Sequence, residues 1–299
     1  MAFLILLGFI LRKTRVIDER IQKGLSEILL KAVLPFSILM SSNIEYSYDF
    51  VKAMIAVAAA AACYYFFGIV VLNYFTGRFK LDSNERIVII MVSIFANTSF
   101  VGFPVMSALF GESGLLLASV YNLVFNVFFY TYGLAAFSHR KMSVRSMSVS
   151  MITLASIAAI AIFISPFRLP SFATDTLLSV ANMATPMSMM IVGSSLATVD
   201  SHKLFSDKKS FVAALLRTVV FPFIMLLAVL LVRLRFYMMP VTATAIVLMT
   251  SLPSGLMSVV ISEQTDCAPK FCVRTVFLSF IFMIITLPLM MFICGKLFV

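Results

Sequence analysis

The chain of 299 residues is dominated by apolar side chains. Hydrophobic residues make up 62% of it and charged residues 12%, against roughly 45–50% and 25% in soluble globular domains. A soluble fold of this length has no interior large enough for that apolar content, so the composition excludes one. The charges fall in short clusters between long uncharged stretches, which is typical of an all-α polytopic membrane protein.

Ten apolar stretches predict ten transmembrane helices, since about 20 residues cross a bilayer as a helix. The first is the short run at residues 1–11. Basic residues follow this run instead of preceding it, so we predict a retained span and not a secretory signal. The others lie at residues 25–40, 52–78, 86–139 (two spans with a turn at 111–114), 145–168, 175–200, 211–232, 235–263 and 274–296.

Basic residues indicate the orientation, because cytoplasmic loops retain Lys and Arg. If the chain starts outside, most of its 23 Lys and Arg residues fall in cytoplasmic connections. Both termini are therefore predicted to be extracytoplasmic, in a bacterial plasma membrane. The net charge of +10 then reflects orientation and attraction to anionic lipid, and it requires no nucleic acid partner.

Helix-breaking residues recur at about half the chain length. Pro35 in span two matches Pro186 in span seven, and a break at residues 97–104 of span four matches one at 251–255 of span nine. With five spans in each half, the second half starts on the opposite side of the membrane. The sequence thus predicts two inverted five-helix repeats, residues 1–137 and 149–299, joined by a cytoplasmic linker at 138–148. Paired broken helices in inverted repeats are typical of secondary transporters.

The two breaks form the predicted substrate site. Pro and Gly free backbone groups, which is tolerated at bilayer depth only where protein or a water-filled cavity satisfies them. Each half-helix that restarts, near Pro104 and near Ser254, is expected to present free amides and a positive dipole end to a carboxylate. Kinks that serve helix packing alone are the alternative. The uncharged polar side chains available at the breaks are Asn97, Thr98, Ser99, Ser251 and Ser254.

The run Asn97-Thr98-Ser99-Phe100-Val101-Gly102-Phe103-Pro104 resembles the Asn-Thr…Gly-x-Pro crossover motif of the auxin efflux carrier family, which includes plant auxin exporters and bacterial dicarboxylate permeases. Ser251-Leu252-Pro253-Ser254-Gly255 resembles the second crossover of that family. The resemblance implies a scaffold domain of helices 1, 2, 6 and 7 and a transport domain of helices 3–5 and 8–10. It also implies that the substrate contacts the crossover, at Asn97, Gly102, Pro104, Pro253 and Gly255. Ala96 stands where auxin exporters often carry Pro, and the central linker is too short for a regulatory domain, so auxin is not the expected substrate.

Asn122 and Asn126 lie one helical turn apart in span five and therefore on the same face. Two interpretations stay open at this point. These amides contact the substrate, or they form hydrogen bonds that hold helices together.

Few charged residues are available for ion coupling. Carriers driven by protons or sodium usually place a carboxylate near the membrane midplane, whereas the acidic residues here lie near the ends of spans. A uniporter driven by the anion gradient and membrane potential fits this pattern, as does symport of a protonated substrate. Three cations, Lys31, Lys52 and Arg217, lie within spans. They are candidate counter-charges for an anion, but the favoured interpretation is that they extend to the membrane surface.

Residues for catalysis are also scarce. Both histidines, His139 and His202, fall in predicted loops, and no cluster has metal-ligand spacing. We therefore predict that the chain is not an enzyme and holds no cofactor and no metal. The tyrosines Tyr64, Tyr65, Tyr121 and Tyr237 are candidate anchors at the membrane interface.

The sequence as a whole predicts a secondary transporter of small organic anions, either mono- or dicarboxylates, that exports them by alternating access at the crossover of helices 4 and 9. One alternative is a sodium-coupled importer resembling the bile-acid symporters, which share this architecture. Another is a membrane sensor that binds a carboxylate without transporting it. The expected partners are the anion and the lipid bilayer, and coupling to protons or sodium and a homodimeric state are left open.

Overall fold

The computed structural model describes residues 2–79, 81–138, 150–166, 171–198 and 207–298. Within these ranges every regular element is helical, as predicted for an all-α membrane protein.

The first half of the chain forms α1 to α7. A kink at Gly111, where φ is 56°, divides α6 into two helical segments. Glycine tolerates this left-handed conformation because it has no Cβ, and the kink lies in the segment 111–114 where a turn is predicted. The helices are α1 (Ala2–Lys13), α2 (Glu19–Ile28), α3 (Leu34–Met40), α4 (Tyr48–Thr76), α5 (Ser83–Ile94), α6 (Phe103–Phe128) and α7 (Leu134–Ser138).

The second half of the described chain forms α8 to α15. Span seven is interrupted at Asn182 and Met183, so Pro186 falls in the first turn of α10, where a proline needs no helical hydrogen bond. The helices are α8 (Met151–Ile164), α9 (Ser171–Ala181), α10 (Ala184–Leu196), α11 (Lys208–Leu215), α12 (Phe221–Arg233), α13 (Pro240–Thr250), α14 (Leu256–Gln264) and α15 (Pro269–Phe298).

Three prolines each follow a short π-helical turn. Pro35, Pro104 and Pro222 are the second residues after the turns Leu29–Val33, Thr98–Gly102 and Leu216–Val220. A proline lacks an amide hydrogen and clashes with the carbonyl four residues before it, and in all three cases that carbonyl belongs to the π-helical turn. The wider turn accommodates the ring. Pro35 therefore does not break span two, contrary to the expectation from sequence.

Within the described part of the chain, five helices are long and apolar enough to cross a membrane, judged by length and composition. Two further apolar helices, α8 and α13, are shorter. The five candidate spans are Tyr48–Thr76, Thr98–Phe137, Thr174–Leu196, Lys208–Arg233 and Pro269–Phe298. This pattern is that of a polytopic membrane protein.

The helices group into two compact units. Unit one comprises Met1–Met54, Thr98–Leu123 and Val149–Val199. Within it, α3 packs against α8 and α9, and α1 packs against α10. The last two helices approach closely at two glycines: a Cβ on Gly193 would lie 1.9 Å from the Ile5 carbonyl oxygen, and one on Gly8 2.1 Å from that of Met190. Small residues at such contacts let membrane helices meet backbone to backbone.

Unit two comprises Ile55–Asn97, Val124–Ser148 and Asp200–Val299. In it, α15 packs against α5, α11, α13 and α14, and the Tyr65 ring stacks on Phe95 and Phe128. Tyr64 and Tyr65 are buried, as is Tyr121 of unit one. The prediction that these tyrosines anchor the chain at the membrane interface is wrong, because each ring lies inside the protein. Tyr237 is 88% exposed.

Candidate functional site

Two interrupted helices meet in unit two. Helix α5 ends at Ile94 and α13 ends at Thr250. The residues that follow them, 95–97 and 251–255, are termed the crossing segments. These segments pair as a single antiparallel bridge between Ala96 and Ser254, which lies at the predicted breaks of spans four and nine.

The pairing of the crossing segments is reciprocal. The Asn97 N–H donates to the Pro253 carbonyl over 2.8 Å, and the Gly255 N–H donates to the Phe95 carbonyl over 2.9 Å. A Cβ on Gly255 would lie 3.2 Å from the Ala96 carbonyl oxygen, so a larger residue would press on the partner segment. The two breaks thus satisfy each other's backbone groups, as buried backbone requires.

Ser254 ties the bridge to the surrounding helices. Its hydroxyl donates to the Val92 carbonyl over 2.7 Å, and its N–H donates to the Ser279 hydroxyl over 2.9 Å. The Ser251 hydroxyl donates to Val247 of its own helix. We had expected free amides where the half-helices restart, but the amides of Asn97, Ser254 and Gly255 already have protein acceptors. The second restart also falls at Leu256, two residues beyond the predicted position.

The restart of span four belongs to unit one. It begins with the π-helical turn Thr98–Gly102, six residues before the predicted position at Pro104. The Thr98 hydroxyl donates to the Asn122 side-chain oxygen over 2.6 Å, and both residues are buried. Gly102 and Pro104 are also buried, whereas Ser99 is partly exposed.

The two asparagines of span five differ in their surroundings. Asn122 is buried and accepts the Thr98 hydroxyl hydrogen, as expected of a side chain that holds two segments together. Asn126 is half-buried and belongs to unit two. Contact of either residue with a substrate stays a prediction.

Arg217 does not follow the favoured interpretation of the cations within spans. We expected it to extend to the membrane surface, but its side chain is fully buried, with 0% exposure. Its Nε donates to the Leu252 carbonyl over 2.7 Å. Its Nη1 donates to the Ile94 carbonyl over 3.0 Å and to the Tyr64 hydroxyl over 2.6 Å. The guanidinium therefore bonds to both interrupted helices at the point where each one breaks.

Helix ends provide the negative partners of this cation. The carbonyls at the C-terminus of a helix lack intrahelical donors and carry partial negative charge. Ile94 is the last residue of α5, and Leu252 lies two residues beyond α13. Among the described residues, no carboxylate forms an ion pair with Arg217, and its Nη2 has no hydrogen-bond partner. The breaks therefore carry a fixed, buried positive charge with spare donor capacity.

The other two cations within spans are exposed, unlike Arg217. Lys31 pairs with Glu27 and Lys52 with Asp49, each over 3.1 Å, and all four side chains are more than half exposed. The sequence itself indicates why Arg217 differs from Lys31 and Lys52. Arg217 lies nine residues after Lys208, which is about 14 Å along a helix, so it is too deep for its side chain to reach the surface.

These features define an integral membrane transport protein with paired helix breaks. The sequence model of the family described as "Membrane transport protein" matches residues 1–151 and 141–291, so the chain belongs to this family, the auxin efflux carrier family. The resemblance seen in the sequence is thereby confirmed.

A relative from Methanocaldococcus jannaschii, named as an uncharacterized transporter, is 26% identical over 300 residues. The alignment covers 96% of this chain and 94% of the relative. The family and this relative identify the chain as a membrane transporter and not as an enzyme.

The hydrogen bond between Ser279 and Ser254 provides a test of the site's geometry. In Ser279→Ala the buried Ser254 N–H loses its acceptor, which should cost about 1–3 kcal/mol of unfolding free energy. Ser179→Ala is the matched control, because it removes a helical serine hydroxyl from an exposed position. Thermal unfolding of the purified proteins should show a lower midpoint for Ser279→Ala only. Equal midpoints for the two variants would contradict the assigned contact.

Proposed function

We propose that the protein is a secondary transporter of small organic anions, either mono- or dicarboxylates, and that its substrate binds at the crossing segments. The observation that carries this proposal is the buried guanidinium of Arg217, which contacts Ile94 at the end of α5 and Leu252 in the second crossing segment and has no carboxylate partner among the described residues. A mobile anion completes the charge balance that the protein leaves open.

The size of the electrostatic effect supports an anionic substrate. Two unit charges about 4 Å apart attract by about 4 kcal/mol at an effective dielectric constant of 20. The unused Nη2 of Arg217 can in addition donate a charge-assisted hydrogen bond to a carboxylate oxygen. An organic anion therefore gains both attraction and a directed contact, whereas a cation would be repelled.

Hydrogen bonds from uncharged side chains complete the proposed site. Because the backbone amides at the bridge are occupied, the side chain of Asn97 replaces them as the main uncharged contact, together with the buried residues Pro253 and Gly255. Ser251 and Ser254 support the bridge through their own hydrogen bonds. The substrate contacts predicted from the sequence alone at Thr98, Ser99, Gly102, Pro104, Asn122 and Asn126 stay predictions.

We further propose that the breaks form a crossover of helices 4 and 9 in a ten-helix fold of two inverted repeats, residues 1–137 and 149–299. The reciprocal hydrogen bonds of the bridge support this proposal, since an antiparallel pair is related by a local two-fold axis. Such an axis lying in the membrane plane also relates inverted repeats. The proposed scaffold helices 1, 2, 6 and 7 fall almost entirely in unit one, which also contains Thr98–Leu123 of the proposed transport domain.

Transport is proposed to proceed by alternating access and in the export direction, with both termini extracytoplasmic in a bacterial plasma membrane. The distribution of basic residues supports this orientation. Labelling of a cysteine at the exposed Tyr237 position tests it, in a variant whose exposed Cys63 is serine. An impermeant maleimide should react from outside intact cells, and reaction only after permeabilisation would reverse the orientation.

The fixed charge of Arg217 also disfavours the sodium-coupled alternative. Its Nε lies 2.7 Å from the Leu252 carbonyl oxygen, so a sodium ion at that carbonyl would lie beside the guanidinium, which repels a cation. Uptake that requires sodium would restore this alternative. Binding of an anion without flux in sealed vesicles would instead indicate a sensor.

Asn97→Ala tests the proposed site directly. The substitution removes the side-chain amide but keeps the backbone N–H that donates to Pro253, so the bridge should persist. We expect the variant to insert and fold normally and to lose organic anion flux in proteoliposomes. Asn43→Ala, at an exposed position in a loop, is the matched control and should keep the flux. Unchanged flux in Asn97→Ala would remove this residue from the site.

A further inference from the structure

A basic surface segment follows the first helix in unit one. The cations Lys13, Arg15, Arg20 and Lys23 are all exposed. The ion pairs formed among the described residues use other cations, namely Lys31, Lys52, Lys209 and Arg274.

The two carboxylates within this segment serve α2. Asp18 caps the helix by accepting the Ile21 N–H over 2.7 Å, and Glu19 lies in the first turn, where the helix dipole favours negative charge. The four cations therefore keep donors that no protein group occupies as an ion pair. We call residues 13–23 the basic segment.

The exposed face of α1 leads directly into the basic segment. Phe3, Leu6 and Ile10 follow each other at helical spacing and are 75%, 53% and 47% exposed. Lys13 continues the same face three residues later and lies 5.7 Å from the centre of the Phe9 ring. An outer face that changes from apolar to cationic within one turn is expected where a helix leaves the hydrocarbon and enters the headgroup layer.

Helix α2 has the composition of a helix that lies in the membrane interface. Ile21 and Ile28 are exposed on one face, with Gly24 between them, and Arg20 and Lys23 flank this face. An exposed apolar stripe bordered by cations suits the boundary between headgroups and acyl chains. Water would solvate the cations but would not favour exposure of the apolar stripe.

Hydrogen bonds hold α2 in place on its other side. The Gln22 side-chain amide donates to the Ser195 hydroxyl over 2.9 Å and accepts from the Ser194 hydroxyl over 2.7 Å. Both serines belong to α10, which packs closely on α1. Because the segment is fixed, its cations are presented to a ligand with little further loss of conformational entropy.

We propose that the basic segment binds the headgroups of anionic phospholipids in the surrounding bilayer. Arginine donates paired hydrogen bonds to a phosphate and lysine a point charge, while Val16 and Ile21, both exposed, contact the acyl chains. This proposal is independent of the substrate, since it concerns only unit one and the lipid. Anionic lipid should strengthen native-state stability by binding here.

The test uses the full chain in nanodiscs of phosphatidylcholine with and without phosphatidylglycerol. Phosphatidylglycerol should raise the unfolding midpoint of the wild type. Each cation near a charged membrane surface contributes about a fivefold gain in affinity, so the double variant Arg20→Gln, Lys23→Gln should lose about 25-fold in phosphatidylglycerol binding, measured by native mass spectrometry. The matched control is Arg235→Gln, Lys296→Gln, which removes two exposed cations at the other predicted membrane face and should keep the affinity.

Three outcomes would overturn the proposal. Retained phosphatidylglycerol binding in the Arg20, Lys23 variant would do so, as would equal loss in the control. Equal stabilisation by soluble glycerol phosphate would indicate a site for free anions in place of a lipid surface. If the double variant fails to fold, the wild type at raised ionic strength gives the same information. Screening should weaken lipid binding there, and binding that ignores salt would contradict the charge-based contact.

Discussion

The arrangement of the site depends on one buried guanidinium between two helix ends. Arg217 donates to Ile94 at the end of α5 and to Leu252 just beyond α13. Interrupting a helix within a membrane exposes carbonyls that no lipid can satisfy, and here a single cation bonds to both groups. The reciprocal bridge between Ala96 and Ser254 satisfies backbone groups that Arg217 does not reach. The helix ends take the place that a carboxylate partner would otherwise have, as the proposed anion site requires.

The proposed anion site needs only this one buried charge, in a chain with few charges within its spans. A carboxylate beside Arg217 would neutralise the site and compete with the substrate. The hydroxyl of Tyr64 instead accepts from Nη1 without adding charge. The π-helical turns before Pro104 and Pro222 each accommodate a proline. Each of these turns also carries a buried polar residue, Thr98 in the first and Arg217 in the second. Local departures from α-helical geometry thus place polar groups deep in the structure.

Much of the fold could be predicted from the sequence, and less of the site. Hydropathy and the positions of Pro and Gly predicted an all-helical membrane protein, a change of direction at Gly111 and both interrupted helices, because these features depend on local chemistry. The partners of Arg217 could not be predicted, since Leu252, Ile94 and Tyr64 lie 35, 123 and 153 residues away in the chain. For the same reason the amides of Asn97 and Gly255 were expected to be free. Their acceptors lie on the opposite crossing segment, and only tertiary structure reveals them.

The central claim is that the paired breaks bind the charged group of a small organic acid. The most direct measurement is thermal unfolding of the purified full chain with mono- and dicarboxylates and with the carboxamides of the same shape, for the wild type and for Arg217→Gln. A ligand that binds the native state raises the midpoint as its concentration increases. We predict that at least one acid stabilises the wild type, that its amide does not, and that Arg217→Gln loses the effect. Equal stabilisation by acid and amide, or an acid effect that persists in Arg217→Gln, would contradict the account.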